Sequence, residues 1–378
     1  MTEYNHLITL KPVEDYYFGG EKTFGQQAED EKDPDSPGRA RMAGKRETSY
    51  FAYSNEYPQQ TALLGVLRFI LLAQNDALPL SVPSNRKKAN ALIGQRSFDP
   101  EKNGQSFGAI KSLSPMMLQG NGRFYRFGNA HESLPLSMKK EGQFVGAIGN
   151  VSQGLPVLSG FDPKEDYPRT VIALGGEEEA IPFTAIFKDR FQVGIEKKTG
   201  TDDRSEAFYE QQTYTLKGDF AFAFLAKVDT HTEGDEHVHL KDGTVTFGGE
   251  QKQFRLQVQP FDPKKENHRA LADLLQPQSV PELADKLYRV HLLSDALVSK
   301  EVYDYCRFAI AGTEDFRTVT HNFNKRMAHE SSHKYNLLQR GSMLYVEGSE
   351  LKDVIKELND PEDLRNIGFN HYIIREQA

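Results

Sequence analysis

The chain has 378 residues, 26% of them charged, and a net charge of -8; it is long enough for two or more domains and too acidic for salt-driven binding to bulk nucleic acid. It contains no run of about 18 apolar residues and no basic-then-apolar leader in MTEYNHLITLKP, which excludes a transmembrane helix and a secretory signal and suits a cytoplasmic protein with no membrane partner. One cysteine, Cys306, excludes an internal disulfide and any cysteine-rich zinc site.

In chain order, 6–11 (HLITLK) reads as a strand stopped by Pro12, followed by an aromatic and glycine loop over 16–25. Residues 26–46 are polar and nearly free of large apolar groups, as in a flexible insertion. A short strand is expected at 49–53. The clearest helix runs over 58–74, with Ala62, Leu63, Val66, Leu67, Ile70 and Leu71 on one stripe. Gly65 inside it costs roughly 1 kcal/mol against alanine, which predicts a close backbone approach there; Arg68 follows near the same face. The stretch 85–166 is irregular, with candidate strands at 107–110, 123–127 and 144–148. Further strands are expected at 170–173 and 183–186.

Residues 187–224 predict a long β-hairpin: an alternating run through Phe187, Arg190, Phe191 and Val193, a polar tip over 196–206, a return through Tyr209, Gln212 and Tyr214, and a closing strand-like run FAFAFLA at 220–226. The tip carries Lys197, Lys198 and Thr199. Such a surface can stack bases on aromatics, bond base edges with amides and meet phosphates with lysine; the plain alternative is a solvated surface hairpin. Strands at 244–247 and 254–258 flank a Gly248-Gly249-Glu250 turn. A linker with a short helix follows over 260–278. The remainder reads as βαββαβ: strands at 288–293, within 307–320, at 337–346 and at 369–374, with helices at 301–305 and 350–358.

His329-Glu330-Ser331-Ser332-His333 matches H-E-x-x-H, the zinc-hydrolase pattern, but its flanks lack an amphipathic stripe and read as a loop between strands. His231, His237 and His239 beside Glu233, Asp235 and Glu236 read as a solvated hairpin tip in preference to a metal site. Gly175-Gly176 leads into Glu177-Glu178-Glu179, the wrong charge for a phosphate cradle. No P-loop, nucleophile elbow or dinucleotide fingerprint is present.

Several of these stretches together resemble the third Cmr subunit of type III-B CRISPR–Cas effector complexes, a Cas5-like RAMP family. They are the opening LITLKPVEDYYFGGEKTFG, the helix YPQQTALLGVLR with Thr61, Gly65 and Arg68, the hairpin RFQVGIEKKTGT with its return AFYEQQTYTL, the turn GGEQKQF, and the late LLQRGSMLYVE and IGFNHYII. They fall in the family's order along nearly the whole chain. The closing glycine motif is reduced to Gly368-Phe369-Asn370, and Arg340 stands where a small residue is common.

The resemblance implies an α+β protein of two modified ferredoxin-like (RRM-like) domains with long insertions: 1–260, a linker at 261–283, and 284–378. It implies no catalysis, no cofactor and no metal. The implied partners are the 5′ repeat-derived tag of the guide RNA, a Cas10-type large subunit, a RAMP backbone subunit and, indirectly, target RNA. Carried onto this sequence, the RNA contacts would be Arg68, Gly194, Lys197, Lys198, Thr199, Tyr209, Gln212 and Arg340. The competing expectations are a zinc hydrolase on His329, Glu330 and His333, and a RAMP-type RNA-processing nuclease with His6 or His321 as general base.

Overall fold

The structure, a computed structural model, describes residues 4–26, 48–94, 97–133, 136–139, 155–158, 169–176, 179–196, 207–281, 286–317, 334–360 and 362–377. Residues 27–46 of the expected insertion, the candidate strand at 144–148 and the H-E-x-x-H stretch at 329–333 lie outside these residues. Helices and strands are mixed along the chain, as the patterning predicts.

Strand β1 (His6–Pro12) has Leu7, Ile8, Thr9 and Leu10 all buried. Both faces are covered, which is why HLITL is a near-continuous apolar run and does not alternate. Strands β2 (Phe18–Gln26) and β3 (Thr48–Asn55) pair antiparallel. The stretch expected as an aromatic and glycine loop is therefore largely strand. Ladder pairing overrides the poor strand propensity of its glycines, and the register slips between Gly19 and Lys22.

Helix α1 (Gln60–Gln74) forms where the apolar stripe lies. Its Leu63, Val66, Leu67, Ile70 and Leu71 join Ile8, Leu10, Phe222 and Phe224 in the main core. Gly65 does not face a close backbone neighbour: it is exposed, and a Cβ there would meet nothing within 4 Å. Helix α2 (Pro83–Ile93) begins at a proline, whose missing N–H costs nothing in the first turn.

The region expected to be irregular contains β4 (Ile110–Leu113), β5 (Met117–Gly120), β6 (Arg123–Asn129), β7 (Leu136–Lys139) and β8 (Leu155–Leu158). Most of these are too short to show a period. After β9 (Arg169–Ala173) and β10 (Ala180–Pro182), the expected strand at 183–186 is a single helical turn, α3 (Phe183–Ile186). Pro182 has no N–H for the ladder and ends β10.

Next come β11 (Phe187–Glu196), β12 (Ala207–Leu216), β13 (Ala221–Val228), β14 (Gly243–Thr246) and β15 (Gln253–Pro260). The larger sheet runs β10-β9-β6-β5-β13-β1-β15-β14, with β4 also on β13. Helix α4 (Glu266–Leu274) lies on the face opposite α1, where Leu271 packs on Leu7, Met117, Phe124, Ala223 and Leu225.

The C-terminal part contains β16 (Leu287–Leu292), a 3₁₀ turn (Lys300–Tyr303), β17 (Phe308–Ile310), β18 (Thr313–Arg317), β19 (Lys334–Leu338), β20 (Met343–Glu347), α5 (Leu351–Asn359), α6 (Glu362–Asn366) and β21 (Tyr372–Glu376). Its four-stranded sheet is ordered β17-β20-β16-β21. Tyr288, Val290, Leu344 and Val346 pack on Leu351, Val354, Ile355 and Leu358 of α5. The single strand expected over 337–346 is broken in two. Gly341 between the halves has φ +82°, which a strand cannot hold, and a Cβ there would lie 2.8 Å from the Gly128 carbonyl oxygen. The expected last strand begins later, at Tyr372, because Gly368 (φ +94°) and Asn370 (φ +57°) form a turn.

Arg340 joins the two sheets. It is 3% exposed, donating Nε–H to Asp295 Oδ1 (3.1 Å) and NH2 to Asp295 Oδ2 (2.6 Å). Its guanidinium lies 4.5 Å from the Tyr57 ring centre and 5.1 Å from that of Phe127. Arg340 is thus engaged inside the protein, with Nε and Nη2 on Asp295 and its flat faces on two rings, and burial keeps it from the surface on which an RNA contact was expected. Glu314 on β18 stands in the same field. Burial first, and then the Asp295 carboxylate, push its pKa up to about 7, against the opposing pull of Arg340.

Two outcomes follow from this packing. Gly65→Ala raises unfolding stability by about 0.5–1 kcal/mol, since a helical alanine meets open space, whereas Gly341→Ala lowers it by at least about 1–2 kcal/mol; thermal melting separates them. Glu314 holds its proton in the folded state to a higher pH than the ordinary 4.5 of the unfolded chain, so its contribution to stability falls as pH rises from about 4.5 to 7. Melting temperature measured between pH 5 and 8 should decline over that window, and Glu314→Gln should flatten the decline.

Candidate nucleic-acid interface

The expected hairpin is present as β11 and β12, antiparallel from Phe187↔Leu216 to Glu196↔Ala207. At roughly 3.3 Å per residue its ten-residue strands span about 30 Å. The third segment of the expected unit, β13, leaves for the larger sheet. The base of the hairpin is anchored: Phe187 is buried, Tyr214 and Leu216 pack on the main core, and Tyr16 and Tyr214 exchange backbone hydrogen bonds of 2.8 and 2.9 Å. The Tyr16 hydroxyl donates to the Glu56 carbonyl (2.7 Å), and Glu56 pairs with Arg169.

Beyond the base, β11 and β12 belong to a second sheet, ordered β11-β12-β3-β2. Its register sorts side chains by face, because successive residues of a strand point to opposite sides. Val193, Glu210 and Phe51 form one row across three strands; Gln192, Gln211 and Ala52 form the next, on the other side. One face therefore carries Asp189, Phe191, Val193, Glu210 and Gln212, with Tyr53 one position beyond Ala52. The other carries Lys188, Arg190, Gln192 and Gln211.

Lys188 and Arg190 are exposed. Gln192 donates to Asp15 Oδ2 (3.3 Å), and Asp15 also pairs with Lys252 (3.2 Å). The basic side of β11 was legible as the alternation K-D-R-F-Q-V, with bases at even positions and acid and apolar groups at odd ones.

The residues expected to contact RNA do not all come together. Gly194 and Tyr209 are register partners. Gln212 lies three positions from Tyr209 and hence on the opposite face, where its amide donates to the Tyr214 hydroxyl (3.2 Å). Lys197, Lys198, Thr199 and the Tyr209 side chain lie outside the described residues. Arg68 is 8% exposed within α1, with its guanidinium 5.7 Å from the Phe107 ring centre, and burial pulls its pKa down to about 10. It is a core residue, buried away from the surface on which an RNA contact was expected.

His321, His329, Glu330 and His333 lie outside the described residues, and among the described residues no group of three or more His, Cys, Asp or Glu could hold a metal ion. His231, His237 and His239 pack edge to face, 5.2 and 4.8 Å between ring centres. Asn5 fixes the tautomer of His6. Its Nδ2 donates to the Val228 carbonyl (2.7 Å) and its Oδ1 accepts from Val228 N–H (3.0 Å), so His6 Nδ1 donates to that oxygen (2.7 Å) and Nε2 is left as an acceptor. Burial lowers the pKa of His6. It lines a cleft of about 210 Å³ with Asp229, Thr230, His237, His239 and Lys241.

The family model described as CRISPR-associated protein (Cas_Cmr3) matches residues 158–376. A chain in the cryo-EM structure of the type III-B Cmr-beta bound to cognate target RNA is similar at 13% identity and TM-score 0.46, over 98% of this chain and 99% of that one. A chain in the crystal structure of the Csm3–Csm4 subcomplex of the type III-A CRISPR–Cas interference complex is similar at 10% identity and TM-score 0.35, over 91% and 97%. No curated protein matches the sequence. The matched segment takes in β11, β12 and the whole C-terminal sheet, more than half of the chain, and the chain belongs to the Cmr3 family of CRISPR-associated proteins.

Proposed function

We propose that the chain is a non-catalytic subunit of a type III-B CRISPR effector complex, binding the 5′ repeat-derived tag of the guide RNA. In this reading it bridges the Cas10-type large subunit to the RAMP backbone subunits, and cleavage of target RNA resides in those partners. Family membership supports the reading. So does the strand order. In the larger sheet β15-β1-β13-β5, and in the smaller β21-β16-β20-β17, the strands lie fourth, first, third, second. That is the order of a ferredoxin-like unit, which favours two such units joined through 261–283. The helix after the third strand is replaced by a polar loop and β14 in the first unit, and the helix after the first strand is reduced to a 3₁₀ turn in the second.

The observation that carries the RNA assignment is the exposed pair Lys188 and Arg190 on one side of an anchored ribbon that leads into Lys197-Lys198-Thr199-Gly200. Two exposed bases on one face give a local positive patch on a chain whose net charge is -8, and the sequence supplies two more lysines just beyond the strand. Lysine and arginine there would meet phosphates and set register, and Gln211 would reach a base edge.

In the purified complex, Lys188→Ala with Arg190→Ala, and separately Lys197→Ala with Lys198→Ala, should lower guide-RNA retention about tenfold and reduce its salt dependence. Retention and 5′ end unchanged in both pairs would overturn the assignment.

A further inference from the structure

The side of the ribbon turned away from Lys188 and Arg190 has the opposite chemistry. Phe191 is 54% exposed, Val193 58% and Tyr53 42%. The main core does not use them: the hairpin reaches it through Phe187, Tyr214 and Leu216 instead. Scattered exposed apolar residues need no explanation, but several on one face of one sheet mark a contact surface. Asp189 and Glu210 stand among them, and neither β11, β12 nor β3 places a lysine or arginine on this face.

We propose that this face, Asp189, Phe191 and Val193 with Glu210 and Tyr53, docks a neighbouring protein subunit. The segment it takes presents apolar side chains rimmed by lysine or arginine. Charge selects the occupant. Phosphates would meet two carboxylates, with no lysine or arginine beside them on the described residues of β11, β12 or β3, which disfavours RNA here. A second copy of this chain would set acid against acid. A cationic rim around an apolar centre satisfies both features at once.

Backbone geometry adds a second means of attachment. β11 is the outermost strand of its sheet and, among the described residues, pairs only with β12. Its outer N–H and C=O groups can accept an added strand, with alternate side chains of that strand meeting Phe191 and Val193. The ribbon then works on two sides, RNA on the basic one and protein on the apolar, acidic one. The identification of the partner as a subunit of the same complex rests on the proposed function.

The test uses the tagged full-length chain co-expressed with the other subunits of its complex, and separately the purified chain with a synthetic RNA of the tag sequence. The variants are Phe191→Ser with Val193→Ser, and Asp189→Lys with Glu210→Lys. All four positions are away from the buried core, and melting temperature checks the fold. Both variants are expected to lose a protein subunit from the purified complex at least tenfold while binding the RNA within twofold of wild type. The Lys188→Ala, Arg190→Ala pair is expected to show the reverse. Loss of RNA binding in the serine variant would make the face an RNA site and overturn the proposal. A wild-type dimer abolished by either variant would assign the face to a second copy and overturn it as well, as would full assembly of both variants. A wild-type chain that assembles with none of the co-expressed subunits overturns the proposed function and, with it, the partner named here.

Discussion

The fold turns on one buried cation. Arg340 takes both oxygens of Asp295 and lies against Tyr57 and Phe127, so that the start of α1, a strand of the larger sheet and the C-terminal part share one contact. A guanidinium so far from water is tolerable only with its charge matched and its flat faces covered. The turn that presents it depends on Gly341, where no side chain fits against Gly128. Glu314 is held in the same field, which ties the contact to pH. Other polar links run alongside. Arg126 and His291 both approach Glu132, and the Gln105 backbone N–H donates to Asp363 (2.8 Å).

With those contacts inside, the larger sheet has little free surface to offer. α1 lies on one face and α4 on the other. The second sheet differs: its hairpin meets the main core at the base, through Phe187, Tyr214 and the Tyr16 bridge, and beyond it β12 pairs with β3 and Gln192 donates to Asp15. Beyond the base, β11 exposes Lys188 and Arg190 on one face and Phe191 and Val193 on the other, and it is the outermost strand of its sheet. A ribbon of this kind suits a protein that must reach into an assembly while its body stays rigid.

The charge pattern gives the two faces separate tasks in the proposed reading. The chain is acidic overall, so nucleic acid is not drawn to its surface at large. Lys188 and Arg190 concentrate positive charge on one side of β11, and Asp189 and Glu210 keep the other side from competing for phosphate. Strand periodicity alone achieves this separation, since neighbours in sequence point to opposite sides.

Much of the framework was legible in the sequence because it rests on local periodicity. The α1 stripe, the apolar runs of β1 and β13, the long hairpin and α5 all follow from spacing. The family resemblance could likewise be read from ordered short motifs. Elements whose stability comes from pairing partners were not legible: β2 is a strand because β3 pairs with it, and the short β4 and β5 are held by β13 and β6. Gly341 and Gly368 break expected strands for reasons found in Gly128, Gln60 and Ser114, which are distant in sequence. The same division holds for the candidate site. The family resemblance suggested Arg68 and Arg340 as RNA contacts, and only tertiary packing placed them in the core. Type also grouped Gln212 with Tyr209, and only the register set them on opposite faces. The sequence determined which segments could carry charge and aromatic groups, whereas burial and pairing, which depend on contacts between remote segments, decided which of those groups face outward.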